Sequence, residues 1–150
     1  MDYIAGARTA ATAATADTAA VNLWNPHASI RLAISEIHWF KTVATADNIA
    51  ILRATTRGTQ TTTVTPNIGN ELGRLVAPPS GAVIDTAWSA QPAKDGAVYL
   101  NRANFPAAVA SGAMWTFPEP LIVPPGAGIC LVTPVATALQ PADVTFRWAE

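Results

Sequence analysis

Short runs in which apolar and polar residues alternate recur along this chain. Residues 29–35 and 143–148 show the strictest alternation. The apolar positions of these two segments are Ile30, Leu32, Ile34, Val144, Phe146 and Trp148. A period of two residues is typical of a β-strand with one face in the core and the other in solvent. We therefore predict a half-buried β-strand at each segment.

The phase of the first alternation changes after residue 35. Ile37 and Trp39 fall on the opposite parity to Ile34, so a regular strand would turn one set away from the core. A one-residue bulge near Glu36 would keep both sets on the buried side. We predict such a bulge.

Turn signals separate several further strand-like segments. The other predicted strands are residues 21–24, 49–56, 61–65, 83–88, 98–100, 113–117, 121–123 and 128–132. Residues 121–132, with a Pro-Pro-Gly-Ala turn inside them, are predicted to form a hairpin, and residues 67–76 are predicted to hold the one helical turn. About eight or nine short strands without a sustained 3.6-residue period indicate an all-β sandwich or barrel.

The first twenty residues differ from the rest of the chain. Residues 5–20 are nearly all Ala and Thr, with Arg8 and Asp17 as their charges and no apolar stripe at helical spacing. Ala favours a helix, but the interleaved Thr residues oppose it. We interpret this stretch as an extended N-terminal arm or an edge strand that is ordered against another surface; the alternative is a mobile tail. The predicted division is an arm at residues 1–20 and a β-domain at residues 21–150.

Composition makes assembly with other chains the favoured interpretation. The 150 residues match one domain, and only 13% of them are charged, against roughly 25% in a typical soluble domain. A charge-poor exterior suits a protein that is covered by partners, although a monomer solvated by Thr and Asn remains the alternative. The net charge of −1 and scattered Lys and Arg argue against nucleic acid and anionic membranes as partners.

Targeting signals are not evident in this sequence. The N-terminus lacks a basic start followed by an apolar run, and prolines and glycines in residues 120–142 oppose a membrane-spanning helix. We expect synthesis and folding in a cytoplasm.

Candidate catalytic residues are few. His27 lies in a turn, His38 lies in a predicted strand, and neither accompanies a nucleophile motif. Glu36 and His38 share a strand face as half of a metal site, but further ligands are not nearby. Cys130, the one cysteine, lies in an apolar run and is interpreted as a small buried hydrophobe. We predict no enzyme activity, no cofactor and no metal.

The five tryptophans have two interpretations. They are Trp24, Trp39, Trp88, Trp115 and Trp148. Each lies in an alternating apolar segment, so burial in the core is expected. An exposed tryptophan in a groove would instead provide a stacking platform for a glycan.

Five motifs stand out along the chain, namely Leu23-Trp24-Asn25-Pro26, Arg53-Ala54-Thr55-Thr56-Arg57-Gly58-Thr59, Thr86-Ala87-Trp88-Ser89, Val123-Pro124-Pro125-Gly126-Ala127-Gly128 and residues 143–150. Together they resemble small structural proteins of tailed bacteriophages, including capsid decoration (cement) proteins and jelly-roll domains of head or tail fibres. The resemblance covers the chain from about Val21 onward. It includes no active-site motif.

The resemblance implies a two-sheet jelly-roll sandwich of about eight strands. It also implies a homotrimer, or another small symmetric cluster, on the capsid surface of a virion assembled in a bacterial cytoplasm. Such cement proteins bridge neighbouring subunits of the major capsid protein, which would be the partner.

We place the predicted partner contacts in the N-terminal stretch and in the Thr-rich segment of residues 55–66. The predicted contact residues are Tyr3, Ile4, Arg8, Thr9, Thr12, Thr15, Arg57, Thr59, Thr61 and Thr63. Two other functions remain open at this point. One is a receptor- or glycan-binding module of a phage fibre, and the other is a small cupin-like enzyme.

Overall fold

The computed structural model describes residues 1–66, 77–96 and 98–150. These residues form ten β-strands. The strands are β1 Asp2–Arg8, β2 Thr18–Asn25, β3 Leu32–Lys41, β4 Asp47–Ala54, β5 Thr59–Val64, β6 Val83–Ala90, β7 Asn101–Phe105, β8 Gly112–Val123, β9 Ala127–Thr133 and β10 Ala142–Ala149. In this described part of the chain, no helix has the length and apolar character needed to cross a membrane.

The ten strands form two antiparallel sheets. The first sheet has four strands in the order β1-β10-β3-β8, and the second has six in the order β5-β6-β2-β9-β4-β7. Without the antiparallel pair β5 and β6, the remaining eight strands have the order of a jelly roll, in which most connections cross from one sheet to the other. The prediction of an all-β, two-sheet jelly-roll sandwich of about eight strands is confirmed, with β5–β6 added at one edge.

The main core lies between the two sheets. Trp39 and Trp148 from the first sheet and Leu23 and Ile51 from the second are fully buried there. Buried and more accessible positions alternate along β10, as its sequence predicts. The apolar faces of the two sheets therefore cover each other, which is the main source of stability in a sandwich.

The predicted bulge in β3 is confirmed. The pairing of β3 with β8 shifts between Ile34 and Glu36, and the pairing with β10 shifts at the same place. Ile34 and Ile37 are both fully buried as a result, despite their opposite parity.

Side chains of β2, β4 and β9 form a second apolar cluster on the outer face of the second sheet. Its fully or almost fully buried members are Ala19, Trp24, Ala50, Leu52, Ala54, Cys130 and Val132. Because both faces of the central strands are covered, all eight residues of β2 are buried.

The predicted hairpin at residues 121–132 is wrong. Strand β8 pairs with β3 in the first sheet, whereas β9 pairs with β2 and β4 in the second. The Pro-Gly turn therefore crosses from one sheet to the other. Pro and Gly reverse the chain both in a hairpin and in a connection between two sheets. The turn sequence therefore does not show which strands pair.

Two further predictions concern the middle of the chain. The strand predicted at residues 98–100 is wrong, since the strand in this region is β7, which begins at Asn101. The helical turn predicted at residues 67–76 lies outside the described residues.

The extended N-terminal arm is not confirmed. Residues 2–8 form β1, an edge strand of the first sheet that pairs along its whole length with β10 of the same chain. Tyr3 and Ala5 point into the main core and are 3% and 2% exposed. Residues 2–8 thus belong to the sandwich, because β10 supplies the surface against which they become ordered, whereas residues 10–17 form a mostly exposed connection to β2.

Candidate partner-binding site

Of the predicted contact residues in β1, two are accessible and one is not. The ring of Tyr3 stacks on Trp148 with 5.7 Å between the centroids, and burial raises the pKa of its phenol. Ile4 and Arg8 lie on the opposite face of the strand and are exposed. A partner can therefore reach Ile4 and Arg8, while Tyr3 holds β1 on the core.

Arg8 makes a two-pronged ion pair on the surface of the first sheet. Its Nε and Nη2 atoms donate to Oδ1 and Oδ2 of Asp143 at 2.7 and 2.8 Å. These hydrogen bonds lower the pKa of the Asp143 carboxyl. Both side chains stay more than half exposed, at 67% and 54%, so the pair remains accessible to another molecule.

The predicted threonines after β1 tie the following segment to the domain. The Thr9 hydroxyl accepts the N–H of Ala142 at 3.0 Å, and the Thr12 hydroxyl accepts the N–H of Leu139 at 2.9 Å. The carbonyl of Thr15 accepts a hydrogen bond from the hydroxyl of Thr18 at 2.7 Å. The side chain of Thr15 is exposed. Thr9 and Thr12 therefore have structural contacts within the chain.

Arg57 and Thr63 converge on a buried carboxylate. The Nε and Nη2 atoms of Arg57 donate to the two oxygens of Asp85 at 2.8 and 2.9 Å, and the Thr63 hydroxyl donates to Oδ1 at 2.6 Å. Asp85 is fully buried, and its hydrogen bonds raise the pKa of Arg57. This arrangement fixes β5 against β6, so Arg57 stabilises the fold.

Thr59 and Thr61 are exposed on β5 and accessible to partners. Strand β5 is the edge strand of the second sheet, and its pairing with β6 is interrupted three times. Such irregularities twist an edge strand and discourage further strands from adding to it. Contacts to β5 are therefore expected through side chains rather than through the main chain.

A groove lies on the side of the sandwich where the residues after β1 approach the end of β6. The groove has a volume of about 410 Å³. One wall is formed by residues after β1 and the other by the end of β6, with Thr12, Thr15, Thr86, Trp88 and Gln91 among the lining residues. Strand β6 also approaches β1 directly, which closes this side of the main core.

Trp88 is the tryptophan that does not fit the expectation of burial. The other four are no more than 9% exposed, whereas Trp88 is half-buried and lines the groove. Its indole N–H donates to the carbonyl of Arg57 at 3.0 Å, which fixes the ring. Nearby, Gln91 Oε1 accepts the N–H of Ala19 at 2.8 Å. A fixed aromatic ring beside hydroxyl and amide groups can stack on the apolar face of a sugar.

The outer face of the first sheet is a second accessible surface, and the sequence prediction missed most of it. Ile4 is 41% exposed, Phe40 38%, Met114 59% and Ile122 42%, and all four point outward from this sheet. Phe40 and Met114 occupy adjacent rows of the β3–β8 pair. The signal for them was present in β3, where Phe40 breaks the polar pattern of the outward-facing positions.

The residues considered for catalysis have local structural contacts. His38 Nε2 lies 3.1 Å from Glu36 Oε2, and Arg147 lies 3.6 Å from the other oxygen of Glu36. His27 Nδ1 accepts the backbone N–H groups of Ser29 and Ile30 in a turn. Within residues 1–66, 77–96 and 98–150, no three His, Cys, Asp or Glu side chains cluster as metal ligands would.

Fold and surfaces together define a jelly-roll sandwich with an open sheet face and a side groove. Comparisons of this chain with protein-family models, with curated proteins and with solved structures found no match.

Proposed function

We propose that this chain is a non-enzymatic structural protein of a bacteriophage virion. In this role it decorates the outside of the capsid and stabilises it by bridging neighbouring subunits of the major capsid protein. It acts as a small symmetric homo-oligomer and is made in the cytoplasm of the host bacterium. The capsid part of the proposal rests on the resemblance to phage decoration proteins, and the structural part rests on the outer face of the first sheet.

The observation that carries the proposal is the exposure of Phe40, Met114 and Ile122 on one sheet face. Phe40 and Met114 lie in neighbouring rows of this face, and large exposed apolar side chains that lie close together suit contact with another protein. Charged side chains, among them Arg8, Asp143 and Arg147, share this face, so the apolar residues form a contact surface with charged groups beside them. The centres of protein interfaces are depleted of charge, which fits the 13% of charged residues in this chain.

Binding to capsids tests the proposal directly. Purified protein is mixed with capsids assembled from the major capsid protein of the same virus, and occupancy is measured by co-sedimentation and by cryo-electron microscopy. We expect bound protein on the outer surface and capsids that resist heating better than bare ones. Wild-type protein that neither binds nor stabilises capsids would contradict the proposed function.

A charge placed on the sheet face tests which surface makes the contact. Met114→Lys puts an ammonium group among the exposed apolar residues, and we expect it to reduce occupancy about tenfold or more. Val98→Lys is the matched control, because Val98 is 76% exposed in a connecting segment away from this face. Equal binding by both variants would show that another surface contacts the capsid.

A second candidate function is glycan binding by a fibre module, and the half-buried Trp88 in the groove favours it. The ring is the stacking surface, and Thr15 and Gln91 supply polar groups at the rim. A glycan array followed by calorimetric titration tests this function. We expect Trp88→Ala to abolish sugar binding and Thr61→Ala to leave it unchanged; failure of the wild-type protein to bind any sugar would exclude the function.

A further inference from the structure

The free edge of β1 has a defined set of main-chain hydrogen-bonding groups. Met1 and Glu150 exchange N–H···O bonds of 3.0 and 3.2 Å, and the N–H of Thr9 donates to Ala142 at 2.9 Å. Hydrogen-bonded positions alternate along an antiparallel pair, so the odd-numbered residues of β1 bond to β10. The even-numbered residues, Asp2, Ile4, Gly6 and Arg8, therefore direct their N–H and C=O groups away from the sheet. Among the described residues, β10 is the one strand paired with β1.

We propose that β1 pairs with β1 of a second copy of this chain about a two-fold axis at Ala5. The pairing is antiparallel, and it joins the two four-stranded sheets into one sheet of eight strands. Asp2 then lies opposite Arg8 of the second copy, and Ile4 lies opposite Gly6 of the second copy. All four of these residues are even-numbered, so every outward N–H and C=O group of the strand finds a partner.

The charges of β1 are self-complementary in this register. Asp2 and Arg8 lie at opposite ends of the strand and on the same outer face, with side chains 49% and 67% exposed. Within one chain Asp2 already lies 3.9 Å from Arg147 and Arg8 binds Asp143. Two-fold symmetry adds a second partner of opposite charge to Asp2 and to Arg8, and it does so twice. Opposite charges that face each other across an antiparallel pair stabilise it.

The shape of the outer face supports the same register. Gly6 has no side chain and lies in a shallow depression that is also lined by Arg8, Asp143 and Thr145. In the paired strands this depression receives Ile4 of the second copy. The 41% exposed side chain of Ile4 is thereby covered, and this happens symmetrically on both sides of the axis.

Other registers lack this match. A register that places Ile4 opposite Ile4 of the second copy, or Gly6 opposite Gly6 of the second copy, still pairs even-numbered positions. In either register Asp2 no longer lies opposite Arg8 of the second copy. A register that pairs even with odd positions sets free main-chain groups against groups already bonded to β10. The register centred on Ala5 is therefore selected by both main-chain and side-chain groups.

This inference goes beyond the proposed function, because it concerns the purified protein alone and does not depend on any capsid. A two-fold contact closes at a dimer, so the small symmetric cluster would be two-fold rather than three-fold at this edge.

Sedimentation equilibrium of untagged protein tests the pairing. We expect a concentration-dependent dimer, weakened about tenfold or more by Asp2→Lys and by Arg8→Glu, because each variant turns two attractive pairs into two repulsive ones. An equimolar mixture of the two variants should restore dimers of wild-type affinity, since both pairs are then complementary. A structural defect in either variant would not be rescued by mixing.

A main-chain variant and hydrogen exchange complete the test. Ile4→Pro removes an outward N–H and no bond to β10, so it should give a monomer that melts at the same temperature as dilute, monomeric wild-type protein. In wild-type protein the amides of Ile4, Gly6 and Arg8 should gain protection with concentration, whereas the amide of Ala5 is protected at all concentrations. A monomer throughout, a trimer, or a dimer unaffected by all three variants would overturn the proposal.

Discussion

The two sheets of this sandwich bury their residues in different ways. Buried and accessible positions alternate along β10 in the first sheet, whereas every residue of β2 in the second sheet is buried. The outer face of the first sheet is open, while the second apolar cluster covers the outer face of the second. An antiparallel strand shows a period of two when one of its faces is covered and loses that period when both are.

The same difference between the sheets gives two ion pairs of similar geometry different contributions to stability. Arg8 binds Asp143 on the open face, and Arg57 binds Asp85 through the same two-pronged geometry on the second sheet. Asp143 is exposed, whereas Asp85 is completely buried. The hydrogen-bond geometry of an ion pair therefore does not show how much the pair contributes to stability. That contribution depends on how deeply the carboxylate is buried.

The largest expected effect contrasts the inner and outer faces of one strand. Trp148→Ala removes a fully buried ring that stacks on Tyr3, so it should lower the free energy of unfolding by about 3–5 kcal/mol. Thr145→Ala changes the outward face of the same strand and should cost less than about 0.5 kcal/mol. Urea denaturation followed by circular dichroism measures both. Similar losses in the two variants would contradict the one-sided burial of the first sheet.

The next effect contrasts the two ion pairs. Arg57→Met leaves the Asp85 carboxylate buried without its cation, and we expect a loss of about 2–3 kcal/mol in unfolding free energy. The value lies below the full range for buried pairs, because the Arg57 side chain is 27% exposed. Arg8→Met should have a much smaller effect, since both members of its pair stay in solvent.

A second change separates lost charge pairing from lost packing. Asp85→Asn on the Arg57→Met background removes the unpaired charge, so it should restore much of the lost stability. Denaturation of the single and double variants completes the double-mutant cycle. A double variant that is less stable than Arg57→Met would show that the cost came from packing around the guanidinium.

The sequence predicted the first sheet better than the second, for a physical reason. In β3 and β10, solvent on one face leaves polar residues at every second position, and the change of parity at Glu36 revealed even the bulge. In β2 and β9, both faces are covered, so the sequence shows a strand without showing its partners. The hairpin between β8 and β9 was predicted wrongly because the sequence does not show the partners of β9. The turn at Gly126 fits a connection between sheets equally well.

The candidate site was less accessible to prediction than the fold. Arg57 and Thr63 are expected at a partner surface, and this stays a prediction; the sequence did not show that both also bind Asp85 on the neighbouring strand β6. The groove beside Trp88 depends on where residues 10–15 lie against the end of β6, and no local pattern encodes that distance. Side-chain alternation reports burial within one strand, whereas a groove forms between segments far apart in sequence.

The smallest expected effect concerns the covered face of the second sheet. Burial raises the pKa of the Cys130 thiol to about 12, with a smaller opposing effect from the nearby Lys94. The unfolded thiol ionises near pH 9, so the folded state loses stability as the pH rises from about 9 toward 12, by about 1.4 kcal/mol per pH unit. Cys130→Ala should lose less stability between pH 8 and pH 10 than wild type in urea denaturation.

Native protein should also resist iodoacetamide at pH 8 and react once unfolded, because the thiol has neither charge nor access to solvent. Rapid alkylation of the native protein would mean that the outer face of the second sheet opens to water, and the contrast between the two sheets would then fail.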